Sequence, residues 1–352
     1  MRGWSAPLWI FVFCLSACAP GARVPPVSNE EALREIRLQK EIAVKERMEQ
    51  LKRLHRVGLP VLAANAPLCG SKIWPHLGVM VESLSNVPES LKDAAQIYYG
   101  LQNQLTVGYI DPRGPAAGRL GTGDRITAVN GMPVRSGAKG RADFYEALWS
   151  LRSGAEKTLV LTVRRGRNDA PEKISIAAAP GCASVIALET DDAVNAHADG
   201  ANIIFSSGMM RDAQDDDRLA YVFGHELAHN ARLHIEAKQM NRLLASVAAL
   251  VVEAGTGMDF SALLDDLGAA AWSQDFESEA DYIGLYMMAR AGYDPEEGLQ
   301  FARRLAALYP ETIHLAGSSH PSSAKRFVAL NKTLAEIRAS KSAGRPLIPL
   351  EK

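Results

Sequence analysis

The chain has 352 residues, which is enough for about two domains with hydrophobic cores of their own. Hydrophobic residues make up 47% of the chain and charged residues 22%, as in ordinary soluble globular proteins. The formal net charge of −1, without a basic stretch that alternates with aromatic residues, excludes a strongly basic nucleic-acid-binding protein.

The first 18 residues have the features of a secretory signal. Arg2 supplies a positive charge, and residues 7–17 form an apolar run that is too short to span a bilayer. Residues 15–18 (LSAC) resemble the lipobox of bacterial lipoproteins, whose cysteine, here Cys18, is lipidated and becomes the new N-terminus. Ala19 follows instead of aspartate, which by the sorting rule of such lipoproteins implies the outer membrane, facing the periplasm. An ordinary cleaved signal peptide, with Cys18 lost or free, is the alternative.

Two cysteines follow this segment, Cys69 and Cys182. An even pair in an oxidising compartment favours a disulfide, and neither cysteine lies in a C-x-x-C motif that would indicate redox chemistry or zinc binding. The pair flanks a section of about 110 residues, whose ends a disulfide would hold together. This arrangement suggests an inserted module.

Before this module the sequence predicts a tether and one long helix, together residues 19–72. Residues 19–28 contain proline, glycine and serine, and residues 29–55 are charged with apolar residues at helical spacing. The Gly-Leu-Pro at residues 58–60 predicts the end of the helix.

Between residues 74 and 177 the pattern changes to short strands and turns. Residues 120–131 (LGTGDRITAVNG) predict a Gly-Asp turn and a strand that ends in Asn-Gly, and this run resembles a bacterial PDZ domain. The resemblance implies a PDZ-like domain at residues 73–181 that binds an extended peptide along a sheet edge. It makes residues 98–101 (YYGL) the candidate carboxylate-binding loop and residues 144–151 the groove helix. A spacer that binds no peptide is the alternative.

A predicted helix from near Asp216 to His234 carries the sequence HELAH. His225 and His229 lie one turn apart on one face, so both imidazoles can reach one metal ion. Glu226 lies beside the first histidine, where its carboxylate can meet a metal-bound water. These are the groups of a hydrolytic zinc site, whereas a surface helix that matches the motif by accident is the alternative.

An acidic segment downstream can complete the ligand set. Glu277 and Asp281 share one face of a predicted helix, and Glu277 can give a His-His-Glu set with a fourth position open for water. Asp281 can accept a hydrogen bond from a ligating histidine and fix its tautomer. Glu279 is expected to point away into solvent, and His234 to lie off the ligand side.

Three motifs in order resemble the HtpX and CAAX-prenyl-protease family of zinc metallopeptidases, with the closest likeness to its soluble periplasmic, BepA- and LoiP-like branch. They are HELAH, then ESEAD at residues 277–281, then His320-Pro321 with Arg326 six residues beyond His320, and the match spans residues 183–335. The resemblance implies that His225, His229 and Glu277 ligate zinc and that Glu226 is the general base.

The resemblance also implies roles beyond the ligands. Asn195 and His320 would steady the substrate backbone or the tetrahedral oxyanion, and His320 can also cap the zinc and switch the enzyme off. Arg326, like Asp281, is expected behind the ligands. Residues 201–208 predict an edge strand for extended substrate. The apolar run at residues 243–252 is too short to span a membrane; it is expected in the core, and a mobile lid is the alternative.

The expected fold class is α+β, with a mainly α-helical gluzincin domain at residues 182–340, an inserted PDZ-like domain and a tail at residues 341–352. The expected function is a zinc-dependent endopeptidase of the bacterial cell envelope, with one Zn²⁺ per chain, that hydrolyses misfolded or stalled envelope proteins captured by the PDZ-like domain. The alternative is a chaperone-like outer-membrane assembly factor, or a peptide-binding scaffold, with secondary or latent protease activity. Expected partners are unfolded envelope proteins, the outer-membrane assembly machinery, and the membrane through the lipid anchor.

Overall fold

Helices and sheets together form the larger part of the molecule. The computed structural model describes residues 24–153, 157–166, 169–256, 273–308 and 324–350. The chain divides into two compact units, residues 1–39 and residues 40–352. The larger unit combines β-sheets with long helices, so the predicted α+β class is confirmed.

The described chain begins with a long helix, α1 (Asn29–Ala64). In the smaller unit, Ser28 and Glu31 form a capping box at its start. The Ser28 N–H donates to the Glu31 carboxylate at 2.8 Å, and the Glu31 N–H donates to the Ser28 hydroxyl at 3.2 Å. The box satisfies backbone donors that the first turn of a helix leaves without partners.

The predicted end of α1 at residues 58–60 is wrong, because the helix continues through Pro60 to Ala64. Residues 57–62 are all buried, and a Cβ atom on Gly58 would lie 2.5 Å from the Phe223 ring. Glycine therefore allows a close approach here instead of ending the helix. Pro60 removes one backbone hydrogen bond, and tertiary packing of the buried face outweighs that loss.

The section between the two cysteines contains an antiparallel sheet. Its strands are β2 (Val79–Glu82), β3 (Leu105–Ile110), β4 (Arg125–Val129), β5 (Met132–Pro133), β6 (Thr158–Arg164) and β7 (Pro171–Ala177). They lie in the order β2-β3-β4-β6-β7, and β5 pairs with β4. Two helices accompany the sheet, α2 (Lys92–Tyr99) and α3 (Ala138–Ser150). Alternate residues of β6, among them Leu159 and Leu161, are buried with Phe144 of α3 in one core.

Strand β2 is an edge of this sheet, and residues 75–78 (PHLG) precede it. The predicted carboxylate-binding loop at residues 98–101 is therefore wrong, because these residues end α2 and do not lead into an edge strand. Gly100 has a φ of 60° and closes that helix. The predicted groove helix at residues 144–151 is the C-terminal part of α3. In the sequence alone, a glycine that closes a helix cannot be told from one that begins a binding loop.

A two-stranded ribbon connects this sheet to the rest of the larger unit. Strand β1 (Ile73–His76) pairs antiparallel with β8 (Ala179–Cys182). The predicted disulfide between Cys69 and Cys182, 113 residues apart, is confirmed at the base of the ribbon. The two ends of the inserted section are thus held at one place.

The groove between β2 and α3 is closed by residues from outside the inserted section. The four residues of β2 are all buried, and the cavity that remains is about 50 Å³, room for one or two water molecules. Arg141 of α3 donates from Nη2 to the Ile186 carbonyl at 3.1 Å. Residues from outside the inserted section that line the cavity are His55, Leu59, Leu62, Cys182, Ser184 and Ile186. In this arrangement the groove has no room for a peptide strand.

The remaining elements form the helical part of the larger unit. Its strands are β9 (Val185–Glu189), β10 (Ala196–Ala198) and β11 (Asn202–Ser206), and its helices are α4 (Ser207–Asp212), α5 (Asp216–Ala231), α6 (His234–Thr256), α7 (Ser273–Arg290), α8 (Pro295–Leu308) and α9 (Ala324–Ser342). The strand order is β10-β11-β9. The strand predicted as an edge at residues 201–208 is thus the central strand β11, and β10 is the edge strand beside α5.

Helix α6 carries exposed apolar side chains. The core location expected for residues 243–252 is wrong for Leu243, Leu244 and Val247, which are exposed, whereas Ala249 is buried. Among the helices of the described residues, none is both long and apolar enough to cross a membrane.

One buried histidine at the closed groove predicts how stability changes with pH. Burial lowers the pKa of His55 from 6.5 to about 4, against the hydrogen bond between its Nδ1 and the Leu51 carbonyl. The pKa of His55 is lower in the folded protein than in the unfolded chain. As the pH falls, the unfolded chain therefore binds the proton first. Stability is therefore complete above pH 6.5 and falls by about 3 kcal/mol as the pH drops to 4.

We expect His55→Leu to remove this contribution. The measurement is the free energy of unfolding at pH 7 and pH 4, by denaturant titration of the metal-free protein. The decrease should be smaller in His55→Leu than in the wild type, while His197→Gln, at a partly exposed histidine, should follow the wild type. Equal decreases in all three proteins would contradict the assignment.

Candidate active site

Helix α5 places the HELAH motif in the interior of the molecule. Its N-cap is Asp215, whose carboxylate accepts the Arg218 N–H at 2.8 Å, and the acidic first turn favours the positive end of the helix dipole. Residues 219–230 are all buried, because α5 packs against α7, α8 and β10. The imidazoles of His225 and His229 therefore lie on a rigid, desolvated element.

Two glycines bring the second motif to the first. A Cβ atom on Gly224 of α5 would lie 2.6 Å from the Gly284 carbonyl oxygen, and one on Gly284 of α7 would lie 2.7 Å from the His225 backbone nitrogen. Real side chains do not tolerate such distances, so only glycine permits this crossing. The two helix backbones meet one residue before the first histidine, and Glu277 lies two turns before Gly284 on α7.

His225, His229 and Glu277 form a compact set of donor atoms. The two Nε2 atoms are 3.2 Å apart, and the Glu277 carboxylate lies 3.3 Å from each of them, through Oε2 to His225 and Oε1 to His229. All three residues are buried. Ligands about 2.0–2.1 Å from one ion in a tetrahedron are about 3.3–3.4 Å from each other, so these residues fit a single zinc-sized ion.

Asp281 holds the first histidine from behind. Its Oδ1 lies 3.1 Å from His225 Nδ1 and accepts the Tyr221 hydroxyl at 3.2 Å. Arg326 donates to the same carboxylate at 2.7 and 2.8 Å, and its Nη1 lies 3.4 Å from Glu277. A carboxylate that orients a ligating histidine is a usual feature of zinc sites. The structure thus brings Asp281 and Arg326 to the side of the ligands that the sequence predicts.

The charges around His225 favour a cation. Burial by itself lowers the pKa of His225, but hydrogen bonds to Asp281 and Glu277 outweigh it and raise the pKa to about 10. Burial likewise raises the pKa of Asp281, yet the Arg326 charge and the hydrogen bonds from His225 and Arg326 hold it below its usual value. Three buried carboxylates, Glu226, Glu277 and Asp281, outnumber the two nearby cations, Arg326 and Lys238, whose Nζ lies 4.0 Å from Glu277. The formal negative charge that remains can be balanced by a proton or a metal ion.

The remaining predicted residues have different positions. Glu226 is buried on α5 next to the first histidine. Asn195 is exposed just before β10, and its backbone N–H and carbonyl pair with Ser206 at 3.2 and 3.0 Å. His320 lies outside the described residues.

His234 and Glu279 have contacts at the site that the sequence does not predict. His234 is buried, and its Nδ1 lies 3.0 Å from His229 Nδ1. Its Nε2 lies 3.2 Å from Glu279, which also pairs with Arg232 at 3.0 Å, so Glu279 is not simply solvated. Helical extrapolation fails because α5 ends at Ala231 and Leu233 has a φ of 60°, which turns His234 back under the ligands. Periodicity carries no signal for such a turn.

Asn230, which the sequence analysis did not single out, ties α5 to the small sheet. Its Oδ1 accepts the Gly200 N–H at 2.7 Å, and its Nδ2 donates to the Asn202 carbonyl at 3.0 Å. These bonds fix the β10–β11 turn against the helix that carries the metal-binding histidines. The edge strand β10 therefore has a defined position beside α5.

Two family models match the chain. Residues 164–334 match Peptidase family M48, and residues 75–177 match the PDZ domain. The chain therefore contains a peptidase region of family M48 and a PDZ domain, and both resemblances expected from the sequence are confirmed.

Several curated proteins resemble part of the chain. The mitochondrial metalloendopeptidase OMA1 of Saccharomyces cerevisiae is 30% identical over 144 residues, 38% of this chain and 41% of the relative. OMA1 of Arabidopsis thaliana is 30% identical over 142 residues, 40% of this chain and 28% of the relative. The beta-barrel assembly-enhancing protease of Escherichia coli O157:H7 is 31% identical over 132 residues, 34% of this chain and 27% of the relative. In each case the match spans less than half of the relative's length.

The close crossing of α5 and α7 gives a testable prediction. Gly284→Ala introduces a methyl group where no space exists, so we expect the free energy of unfolding to fall by about 1–3 kcal/mol. Gly121→Ala is the matched control, because its Cβ atom would make only an ordinary contact, 3.5 Å from Asp124. Denaturant titration of both variants tests this, and equal effects would show that the helix crossing is not restrictive.

Proposed function

We propose that this protein is a zinc-dependent endopeptidase of the bacterial cell envelope. The observation that carries the proposal is the buried set of His225, His229 and Glu277, with donor atoms 3.2–3.3 Å apart, beside Glu226. Two imidazoles and one carboxylate, with a fourth position for water, are the donors of a catalytic zinc site. The match of this region to Peptidase family M48 supports the same conclusion.

The residues divide the work of peptide hydrolysis. A bound zinc ion would polarise the scissile carbonyl and lower the pKa of a coordinated water to about 7. Glu226 takes the proton from the attacking water and returns it to the leaving amine. Asp281 and Arg326 keep His225 oriented with its Nε2 toward Glu277. Asn195 and His320 retain the proposed role of steadying the substrate backbone or the oxyanion, and His320 that of a latent cap.

The proposed substrates are misfolded or stalled envelope proteins. The signal-like N-terminus with Cys18, the disulfide, and the similarity to a protein named beta-barrel assembly-enhancing protease support this. The proposed location is the outer membrane, through lipid on Cys18, with the outer-membrane assembly machinery as a partner. The proposed domains are residues 1–18 (signal), 19–72 (tether and helix), 73–181 (PDZ-like), 182–340 (peptidase) and 341–352 (tail).

Substrate capture by the PDZ domain requires that its groove open. The residues of β2 are buried, residues of α1 line the small cavity beside Val79, and the Arg141 to Ile186 hydrogen bond holds α3 against β9. A peptide can therefore pair with β2 only after α3 and β2 move away from α1. A binding-competent state that is rarely populated weakens apparent affinity in proportion to its population.

Replacing the general base tests the catalytic proposal. We expect Glu226→Gln to lower kcat for an unfolded outer-membrane β-barrel protein by at least about 100-fold, because the transferred proton loses its acceptor, while zinc content stays unchanged. Chelator treatment should abolish activity of the wild type, and zinc should restore it. Glu297→Gln, at an exposed carboxylate of α8, is the control. Full function of Glu226→Gln in cells would favour the chaperone-like assembly factor instead.

Removing a contact that keeps the groove closed tests whether the PDZ domain binds peptides. We expect Arg141→Met to tighten binding of a fluorescent peptide, taken from the C-terminus of an outer-membrane β-barrel protein, by about tenfold, because one charge-assisted hydrogen bond that keeps the groove closed is lost. Fluorescence anisotropy measures this in a Glu226→Gln background, where the peptide stays intact. Lys139→Met, at an exposed position of α3, should change nothing. Unchanged affinity in Arg141→Met would favour a PDZ domain that acts only as a spacer.

A further inference from the structure

The second metal-binding histidine contacts another imidazole behind it. His229 directs Nε2 at the donor set, 3.2 Å from His225 Nε2 and 3.3 Å from Glu277 Oε1. Its other nitrogen, Nδ1, lies 3.0 Å from Nδ1 of His234. His234 is the first residue of α6 and is 1% exposed. This contact is a different arrangement from that of His225, whose Nδ1 faces a carboxylate.

The backbone and an aromatic ring fix the His234 ring in place. Leu233 has a φ of 60°, in the left-handed region that costs a branched residue about 1 kcal/mol or more, so the surrounding structure imposes this turn. The turn directs His234 back toward α5. The Phe276 ring stacks on the imidazole, with centroids 4.4 Å apart and planes 13° apart. Phe276 directly precedes Glu277 on α7, so the stack connects the start of α6 to the helix that supplies the carboxylate ligand.

The contacts from His229 through His234 to Glu279 determine which imidazole nitrogens carry hydrogen. A metal on Nε2 of His229 requires that nitrogen to be unprotonated, so its Nδ1 carries the hydrogen of the neutral ring. His234 Nδ1 must then accept, and the His234 hydrogen lies on Nε2, which faces Glu279 Oε2 at 3.2 Å. The reverse order would place a proton on His229 Nε2, toward Glu277, and would block the metal.

Glu279 is the final hydrogen-bond acceptor after His229 and His234. Its hydrogen bond to His234 lowers the pKa of this carboxyl, against partial burial, and Arg232 lies 3.0 Å from its Oε1. An ionised carboxylate can only accept, so it favours the hydrogen on His234 Nε2.

We infer that His234, held by Glu279 and Phe276, is a positioning residue that fixes the tautomer and ring orientation of His229 for metal binding. The inference rests on the proposed zinc site. It gives this site a second outer partner, a residue that hydrogen-bonds a ligand on the side away from the metal, in addition to Asp281. Outer partners of this kind typically raise metal affinity 10- to 100-fold.

Two substitutions of similar size separate an acceptor from a space-filler. His234→Asn can place an amide oxygen where Nδ1 was, whereas His234→Leu fills the space without an acceptor. We expect His234→Leu to weaken Zn²⁺ binding by about 10- to 100-fold and His234→Asn to recover most of that loss. Competition with a chromophoric chelator measures the affinity, and Asp275→Asn, at an exposed carboxylate on the same helix as Glu279, is the control.

The outcomes distinguish this inference from the proposed function. Wild-type protein that binds no Zn²⁺ overturns both. Wild-type binding with the same affinity in His234→Leu, or equal losses in the Leu and Asn variants, overturns only the role of His234.

A measurement on the wild type does not depend on the folding of a variant. Long-range ¹H–¹⁵N correlation spectra of the Zn²⁺-loaded protein report which nitrogen of each imidazole carries hydrogen. We expect the hydrogen on Nδ1 of His229 and on Nε2 of His234. A hydrogen on Nδ1 of His234 would overturn the inference.

Discussion

The site depends on one close helix crossing. Gly224 and Gly284 allow the backbones of α5 and α7 to approach to distances that any side chain would prevent. Because the crossing lies next to His225, it sets how far Glu277 and Asp281 are from the histidines. A wider separation by one methyl group would move the Glu277 carboxylate away from its 3.3 Å distance to each imidazole, a distance that suits binding to one ion. The close packing of these two backbones is thus what brings the two motifs together into one set of possible metal ligands.

The carboxylates of Glu277 and Asp281 are buried by the close packing of α5 and α7, and the Arg326 guanidinium stabilises their negative charge. Glu277 and Asp281 are almost fully buried, and only Arg326 among the described arginines contacts both. Buried carboxylates are costly unless they are paired, so a site of this kind contributes to function more than to stability. Each histidine of HELAH also has a partner at its Nδ1, Asp281 for His225 and His234 for His229. Both rings are therefore held in fixed orientations by contacts on the side away from Glu277.

The inserted PDZ domain contacts the rest of the larger unit at its groove as well as through its two chain connections. The ribbon of β1 and β8 and the disulfide hold its ends together, and its groove closes on α1. Helix α1 also packs on Phe223 of α5, close to the metal-binding residues. A movement that opens the groove would thus begin at a helix that contacts α5, which carries HELAH. Helix α1 therefore lies next to both the groove of the inserted domain and the helix that carries HELAH.

The local sequence determined much of this protein. Helix periodicity predicts the shared faces of HELAH and ESEAD, the pattern of helices and strands gives the α+β class, and cysteine chemistry gives the disulfide. Contacts between distant segments decided the rest. Burial carried α1 past Pro60, and topology made β2 the groove edge and β10 the edge strand beside α5. A left-handed turn at Leu233 placed His234 behind a ligand. Periodicity describes only one element at a time, so it gives neither the turn that ends an element nor the neighbour against which that element packs.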